Sequence, residues 1–250
     1  MGLARGLSPE VGLKPSYLRE ALYHLRRTGW IVPLRRGLYA VSSEVPDVAA
    51  VHEFEIAMAL VDPAAISHWS ALHYHGLSEQ VPRKVFVLTT SGTTIPRPVQ
   101  TSKHKAGAGY LVGDIIYQFI QVRPKRFFGI GQVWAGGVRV AMTDPERTLL
   151  DGISMPQYCG DFAEVLHAFE VRGTKLDLNR IVEYALRLDA ATVKRLGWIL
   201  ERQGVDPARL EPLLSVPLGS YRTLDPTGPR HGPRNRRWMI QENLPGSMNA

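Results

Sequence analysis

The chain has 250 residues, 44% of them apolar and 21% charged, with 30 Lys and Arg against 23 Asp and Glu for a net charge of +7. That length can bury the core of one large or two modest domains, while no apolar run reaches the ~18 residues a membrane span needs. The opening MGLARGLSPE has no apolar signal-peptide core and Gly6 stands where a myristoylation signal wants Ser or Thr, and the single cysteine, Cys159, excludes an internal disulfide and a cysteine-based zinc cluster, so a cytoplasmic protein without membrane contact is expected.

Residues 1–42 read as a small unit of two helices and a hairpin. A short helix is expected near Ser8 to Leu13. Leu18, Ala21, Leu22 and Leu25 then recur at i, i+3, i+4 and i+7, the stripe of an amphipathic helix, with Pro15 near its start and Gly29 as its terminator. Trp30 to Leu34 and Leu38 to Val41 read as strands joined at Arg35-Arg36-Gly37. Ser42 to Asp47 is a polar, proline-containing linker and marks a domain boundary. Beyond it, in residues 48–250, helices are expected at Val48 to Val61 and Ser67 to Tyr74, and a β-branched strand at Val85 to Thr89. Residues 90–108, rich in Gly, Pro, Ser and Thr, read as an exposed loop. Strands follow within Tyr110 to Val122 and Gln132 to Met142, the latter pair turning at Gly136-Gly137.

From Thr143 the pattern is helical. Thr143-Asp144-Pro145-Glu146 has capping-box spacing, with Thr143 as cap and Glu146 reaching back. Helices are expected at Glu146 to Ile153, Phe162 to Arg172, Leu178 to Arg187 and Thr192 to Gln203. The tail from about residue 216, with many Pro, Gly and Arg residues, is expected to be extended or loosely ordered. The fold class is therefore α+β: an N-terminal winged helix-turn-helix, then a mixed sheet-and-helix domain. A full winged helix has a further helix ahead of these two, so the first helix is expected to be missing or to lie upstream.

Charge is segregated along the chain. Residues 1–41 hold seven bases against Glu10 and Glu20; residues 42–82 hold six acids and no base; residues 83–126 hold eight bases against Asp114. Separate basic surfaces point to a polyanion. With the leucine stripe inward, the N-terminal helix presents Ser16, Tyr17, Arg19, Glu20, Tyr23, Arg26 and Arg27 on its other face. A helix fits the major groove of B-DNA and its first residues reach base edges. Ser16, Tyr17 and Arg19, with Glu20 or Tyr23, are thus assigned to bases or their surroundings, and Lys14, Arg26 and Arg27 to phosphates. Arg35 and Arg36 at the hairpin tip would lie along the backbone or in a minor groove. The second basic surface comprises Arg83, Lys84, Arg97, Lys103, Lys105, Arg123, Lys125 and Arg126, and a further cationic run holds Arg230, Arg234, Arg236 and Arg237 beside Trp238. The bland reading of either is a charged rim or a solubilising tail.

Three stretches together resemble one family. They are YLREALYHLRRTGWIVPLRRGLYAV (Tyr17 to Val41), ISHWSALHYHGLSEQVPRKVFVLTT (Ile66 to Thr90) and VRVAMTDPERTLLDGISMPQYCGDFAEVLHAF (Val138 to Phe169), with VKRLGWILE (Val193 to Glu201) and LDP (Leu224 to Pro226) further on. In order and over about residues 17–240, they resemble the AbiEi antitoxins of bacterial toxin–antitoxin pairs linked to abortive phage infection. The resemblance implies a winged helix that binds repeats in the promoter of its own operon and represses it. It also implies a C-terminal domain that counteracts a cognate nucleotidyltransferase toxin, generally without a tight stable complex. On this resemblance DNA contact falls on Tyr17, Arg19, Arg26, Arg27, Arg35 and Arg36. A stand-alone regulator without a toxin, or an enzyme modifying toxin or nucleic acid, are the alternatives.

Other constellations point to structure. His68, His73 and His75 are spaced five and two apart, unlike the i, i+4 pairs of helical zinc sites, and read as packing and capping residues. Asp144, Glu146 and Asp151 are better explained by helix capping and an i−4 pairing of Asp151 with Arg147 than by catalysis. No glycine-rich piece forms a phosphate loop, and neither a nucleophile-elbow serine nor Cys159 has a catalytic motif around it. No cofactor, metal or catalytic residue is expected.

Overall fold

The computed structural model describes residues 14–42, 51–97 and 109–244. The expected helix at Ser8 to Leu13, most of the Ser42 to Asp47 linker, Lys103 and Lys105 lie outside these residues. A 3-10 turn, Pro15–Tyr17, leads into α1 (Leu18–Arg27). The helix closes with two bonds across Gly29 at φ 77°: Gly29 N–H to Arg26 O at 3.2 Å and Trp30 N–H to Leu25 O at 2.9 Å. This turns the chain into β1 (Ile31–Arg35), paired antiparallel with β2 (Leu38–Val41) across Arg36-Gly37. The stripe of α1 is half-buried at Leu18, Ala21 and Leu22 and open at Leu25.

The body is built on a six-stranded mixed sheet of β3 (Ala65–Ile66), β4 (Lys84–Thr90), β5 (Tyr110–Val112), β6 (Ile115–Val122), β7 (Ile130–Ala135) and β8 (Val138–Thr143), in the order β5-β6-β4-β3-β8-β7. β4 pairs parallel with β6, and β3 parallel with β8; the other pairings are antiparallel. Strand alternation gives the sheet two apolar faces. Val85, Val87, Tyr117 and Val140 belong to one core with Ile56, Ala57 and Leu60 of α2 (Glu53–Leu60), while Phe86, Leu88 and Ile120 belong to another with Trp69 of α3 (His68–Tyr74). The hairpin is docked on the first face: Leu34 is 3% exposed within that core, Val32, Leu38 and Ala40 pack against it, and the Tyr110 hydroxyl donates to Leu34 O. Hairpin and body share a core.

Beyond the sheet lies a helical layer of α4 (Pro145–Ser154), α5 (Phe162–Arg172), α6 (Leu178–Leu186), α7 (Ala190–Arg202) and α8 (Pro207–Leu214). Eight residues of α4, from Glu146 through Ile153, are buried. Its cap differs from the expected capping box. Asp144, not Thr143, caps it, accepting from Arg147 N–H at 2.8 Å, because Pro145 takes the first helical position. Thr143 instead meets the Thr148 hydroxyl at 2.8 Å, and Glu146 turns to Arg172 at 2.8 Å and Asp177 N–H at 3.1 Å rather than back to the cap. The Arg147–Asp151 pairing is formed, at 2.9 Å and almost fully buried.

The described part of the tail, residues 216–244, is packed, against the expectation of loose order from residue 216. β9 (Arg222–Thr223), β11 (Ile240–Gln241) and β10 (Arg234–Asn235) form a small sheet, and Leu224, Trp238 and Ile240 are fully buried in the helical core. The Trp238 ring lies over Gly197 of α7, where a Cβ would overlap it, and its indole N–H donates to Glu201 at 2.7 Å. Trp238→Ala should therefore cost about 3–5 kcal/mol of unfolding free energy in urea titrations; an unpacked tail would show a change within about 0.5 kcal/mol.

Candidate nucleic-acid interface

The residues assigned to DNA stand on the outer surface of the helix and hairpin. Lys14, Ser16, Tyr17, Arg19, Tyr23, Arg26 and Arg27 are all exposed, Tyr17 by 54% and Tyr23 by 60%. Arg35 and Arg36 are exposed on the hairpin. The two tip arginines differ in surroundings. Arg36 sits in the turn itself, whereas Arg35 lines a crevice of about 480 Å³ between hairpin and body, together with Asp62, Thr90 and Gly92.

Several arginines elsewhere in the chain are ion-paired. Arg126 meets Asp189 at 3.4 Å, Arg172 meets Glu146 at 2.8 Å, Arg180 meets Glu146 and Asp177, and Arg237 meets Glu201 at 2.8 Å. Among the described residues, Arg19, Arg26, Arg27, Arg35 and Arg36 make no ion pair. Among the described residues, Glu53, Glu55, Asp62 and Glu79 do not supply partners. Glu53 and Glu55 occupy the first turn of α2, where the helix dipole favours negative charge.

The second basic surface divides. Lys84 opens β4 and pairs in register with Ile116, while Thr90 closes it opposite Val122. Arg83 and Lys84 therefore lie at one end of the sheet, and Arg123, Lys125 and Arg126 at the other, roughly 20 Å away at ~3.3 Å per residue. Arg97, exposed, follows β4 beyond its far end, and Arg126 is held by Asp189. The described members of this set do not form one continuous surface. Of the C-terminal arginines, Arg234 lies over the Tyr221 ring at 5.2 Å and Arg237 is paired.

The histidines and acids are used internally. His68 is fully buried at φ 49°, with its Nδ1 2.9 Å from Ser67 Oγ and its ring edge-on to Tyr158 at 5.6 Å. His75 donates from Nε2 to Thr143 O at 2.8 Å, and His73 is exposed, so the three do not converge. Among the described residues no group of three or more His, Cys, Asp or Glu side chains is placed to hold a metal ion. Burial lowers the pKa of His68 and of His75 and raises those of Asp144 and of the Cys159 thiol. No helix among the described residues is long and apolar enough to cross a membrane. The residues that seat the hairpin, Leu34 and Tyr110, were not singled out by sequence; Tyr110 begins a three-residue strand, too short for a periodic signal.

No protein-family model matches the chain, and no curated protein matches it. Among solved structures, the crystal structure of the RV2827C protein from Mycobacterium tuberculosis is similar with a TM-score of 0.65, covering 93% of this chain and 81% of that one at 14% identity. At that identity the similarity speaks for a common α+β fold and for nothing finer.

The histidines set a pH dependence. Both buried rings have pKa values below the ordinary 6.5, so just under that pH the unfolded chain binds more protons than the folded one. Stability should fall as pH is lowered from about 7 to about 5. Asp144, raised from 3.8 by burial, acts in the opposite sense. His68→Asn, a residue that tolerates positive φ, should flatten the slope in urea titrations across that window; an unchanged slope would assign the dependence to other groups.

Proposed function

We propose that this protein is a DNA-binding antitoxin of a bacterial toxin–antitoxin pair. In this reading α1 and the hairpin act as a winged helix on repeats in the promoter of its own operon, and the α+β body counteracts a nucleotidyltransferase toxin without a tight complex. The observation that carries the DNA-binding half is the clustering of five exposed arginines, none of them ion-paired among the described residues, on one helix–hairpin unit. Unpaired guanidinium groups are free to exchange hydration and counterions for phosphates. The antitoxin half rests on the resemblance of the motifs between Tyr17 and Pro226 to the AbiEi family.

Affinity in this reading comes mainly from phosphates, and sequence choice from the first turns of α1. Fluorescence anisotropy on the intergenic fragment upstream of the gene tests it. Arg19→Ala should lose about 1–3 kcal/mol of discrimination at one base position. Arg35→Ala combined with Arg36→Ala should weaken all duplexes alike and reduce the log–log salt slope by about 2. Absence of binding in dilute buffer, or a double variant with unaltered slope, would overturn the DNA assignment. Co-expression with the neighbouring toxin reads the other half separately: the hairpin variant should still restore growth, because the neutralising part lies in the body.

A further inference from the structure

A pocket of about 480 Å³ opens on the face of the sheet opposite the hairpin, at the end where β4 and β6 begin. Four chain segments build it. Lys84 and Phe86 alternate to the same face of β4, and Gln118 of β6 lies beside Phe86 in register. Trp69 comes from the first turn of α3, and Gln157 and Tyr158 come from the 3-10 turn Pro156–Tyr158 that follows α4. Ser70 fixes the start of β4 from below, accepting from Phe86 N–H at 3.0 Å and donating to Lys84 O at 3.3 Å.

The lining combines three chemistries. Trp69, Phe86 and Tyr158 give an aromatic wall, with the Phe86 and Tyr158 rings 6.2 Å apart and Tyr158 braced from behind by the buried edge of His68 at 5.6 Å. Gln118 and Gln157 make no side-chain hydrogen bond among the described residues, while the Gln80 amide is oriented by Glu164 at 2.9 Å. Arg83 and Lys84 stand at the rim without an ion-pair partner among the described residues. The volume falls within the range of small-molecule sites, ~300–1,000 Å³. A bare anion would leave the aromatic wall unused, and a wholly apolar ligand would bury amides unpaired. An aromatic platform, amides that both donate and accept, and paired cations at the rim together match a base, its polar edge and its phosphate.

We propose that this pocket binds a nucleoside phosphate, with the base laid against Trp69 and Tyr158, its edge read by Gln118 and Gln157, and its phosphate held by Arg83 and Lys84. The same chemistry is offered by a free nucleotide and by the end of an unpaired strand, and the test separates them. The full chain carrying Arg35→Ala and Arg36→Ala, which removes the hairpin cations, is titrated calorimetrically with the four ribonucleoside triphosphates and, separately, with short single-stranded RNA and DNA. At least one arm should saturate; the mononucleotide arm would assign a free ligand, and an oligonucleotide arm alone a strand end. Adding Arg83→Ala and Lys84→Ala should weaken that binding about tenfold or more. Val81→Glu, at a position 72% exposed on the pocket wall, should do the same by repelling phosphate, without loss of fold. No binding in any arm, or binding indifferent to both changes, overturns the proposal. Duplex binding by the chain with an intact hairpin is read independently, so loss of one assignment leaves the other standing.

Discussion

Arg147 is 99% buried, and the way its guanidinium is satisfied holds the two layers of the protein together. Its Nε donates to Asp151 one turn along α4, and one terminal nitrogen donates to the carbonyl oxygens of Arg126 and Phe128 at 2.7 and 3.0 Å, in the segment between β6 and β7. The ring of Phe128 lies 4.4 Å from the Arg147 guanidinium carbon and 3.6 Å from that of Arg187, so the aromatic face is shared by two cations. One residue earlier, fully buried Glu146 takes Arg172 from the end of α5, the Asp177 N–H ahead of α6, and approaches Arg180 at 3.6 Å. A single helical turn therefore ties the sheet to the helices on both sides. Such a pair adds little net stability over an apolar replacement, yet stranding either partner costs about 3–5 kcal/mol, so the arrangement specifies which elements meet more than how tightly.

That constraint propagates to the surface. α4 occupies the helical side of the sheet, which leaves the opposite face to α2 and the hairpin. Leu34 enters that core and Tyr110 fixes the backbone at Leu34 O, so the orientation of the hairpin is inherited from the sheet. The exposed side of the hairpin then carries Tyr39 and Val41, and the adjoining helix carries the unpaired arginines. A duplex bound by this unit would meet a braced element, with less ordering entropy lost than by a swinging arm.

Much of this was legible in local pattern. The boundaries of α5, Phe162–Arg172, follow from its periodicity and charge, and Gly29 closes α1 as a glycine terminator should. The i, i+4 pairing of Arg147 with Asp151 was read from spacing alone, because both partners lie on one helical face. What escaped was non-local. Thr143 and Glu146 have capping-box spacing, but Glu146 is claimed by Arg172, 26 residues on, a partner no window reveals. The tail has the composition of a disordered segment, yet Trp238 fits a seat prepared by Gly197, 41 positions earlier. α8 was missed because Pro207 and Pro212 suppress its signal, though Pro207 stands at the tolerated first turn. The exposed arginines of the helix and hairpin were found because they cluster in sequence; the pocket was not, because strand alternation gathers it from four separate stretches.

The charge segregation of the chain gains a physical meaning from this arrangement. Among the described residues, Glu53 and Glu55 lie at a helix N-terminus, Asp62 and Glu79 are exposed, and none forms an ion pair with the arginines of α1 and the hairpin. Exposed charges are largely screened beyond ~8 Å at physiological ionic strength, so each basic group acts on its own neighbourhood. The unpaired arginines of α1 and the hairpin lie on one side, and Arg83 with Lys84 at the pocket on the other face of the sheet. A polyanion engaging the first would not satisfy the second, which is why the pocket calls for a ligand of its own.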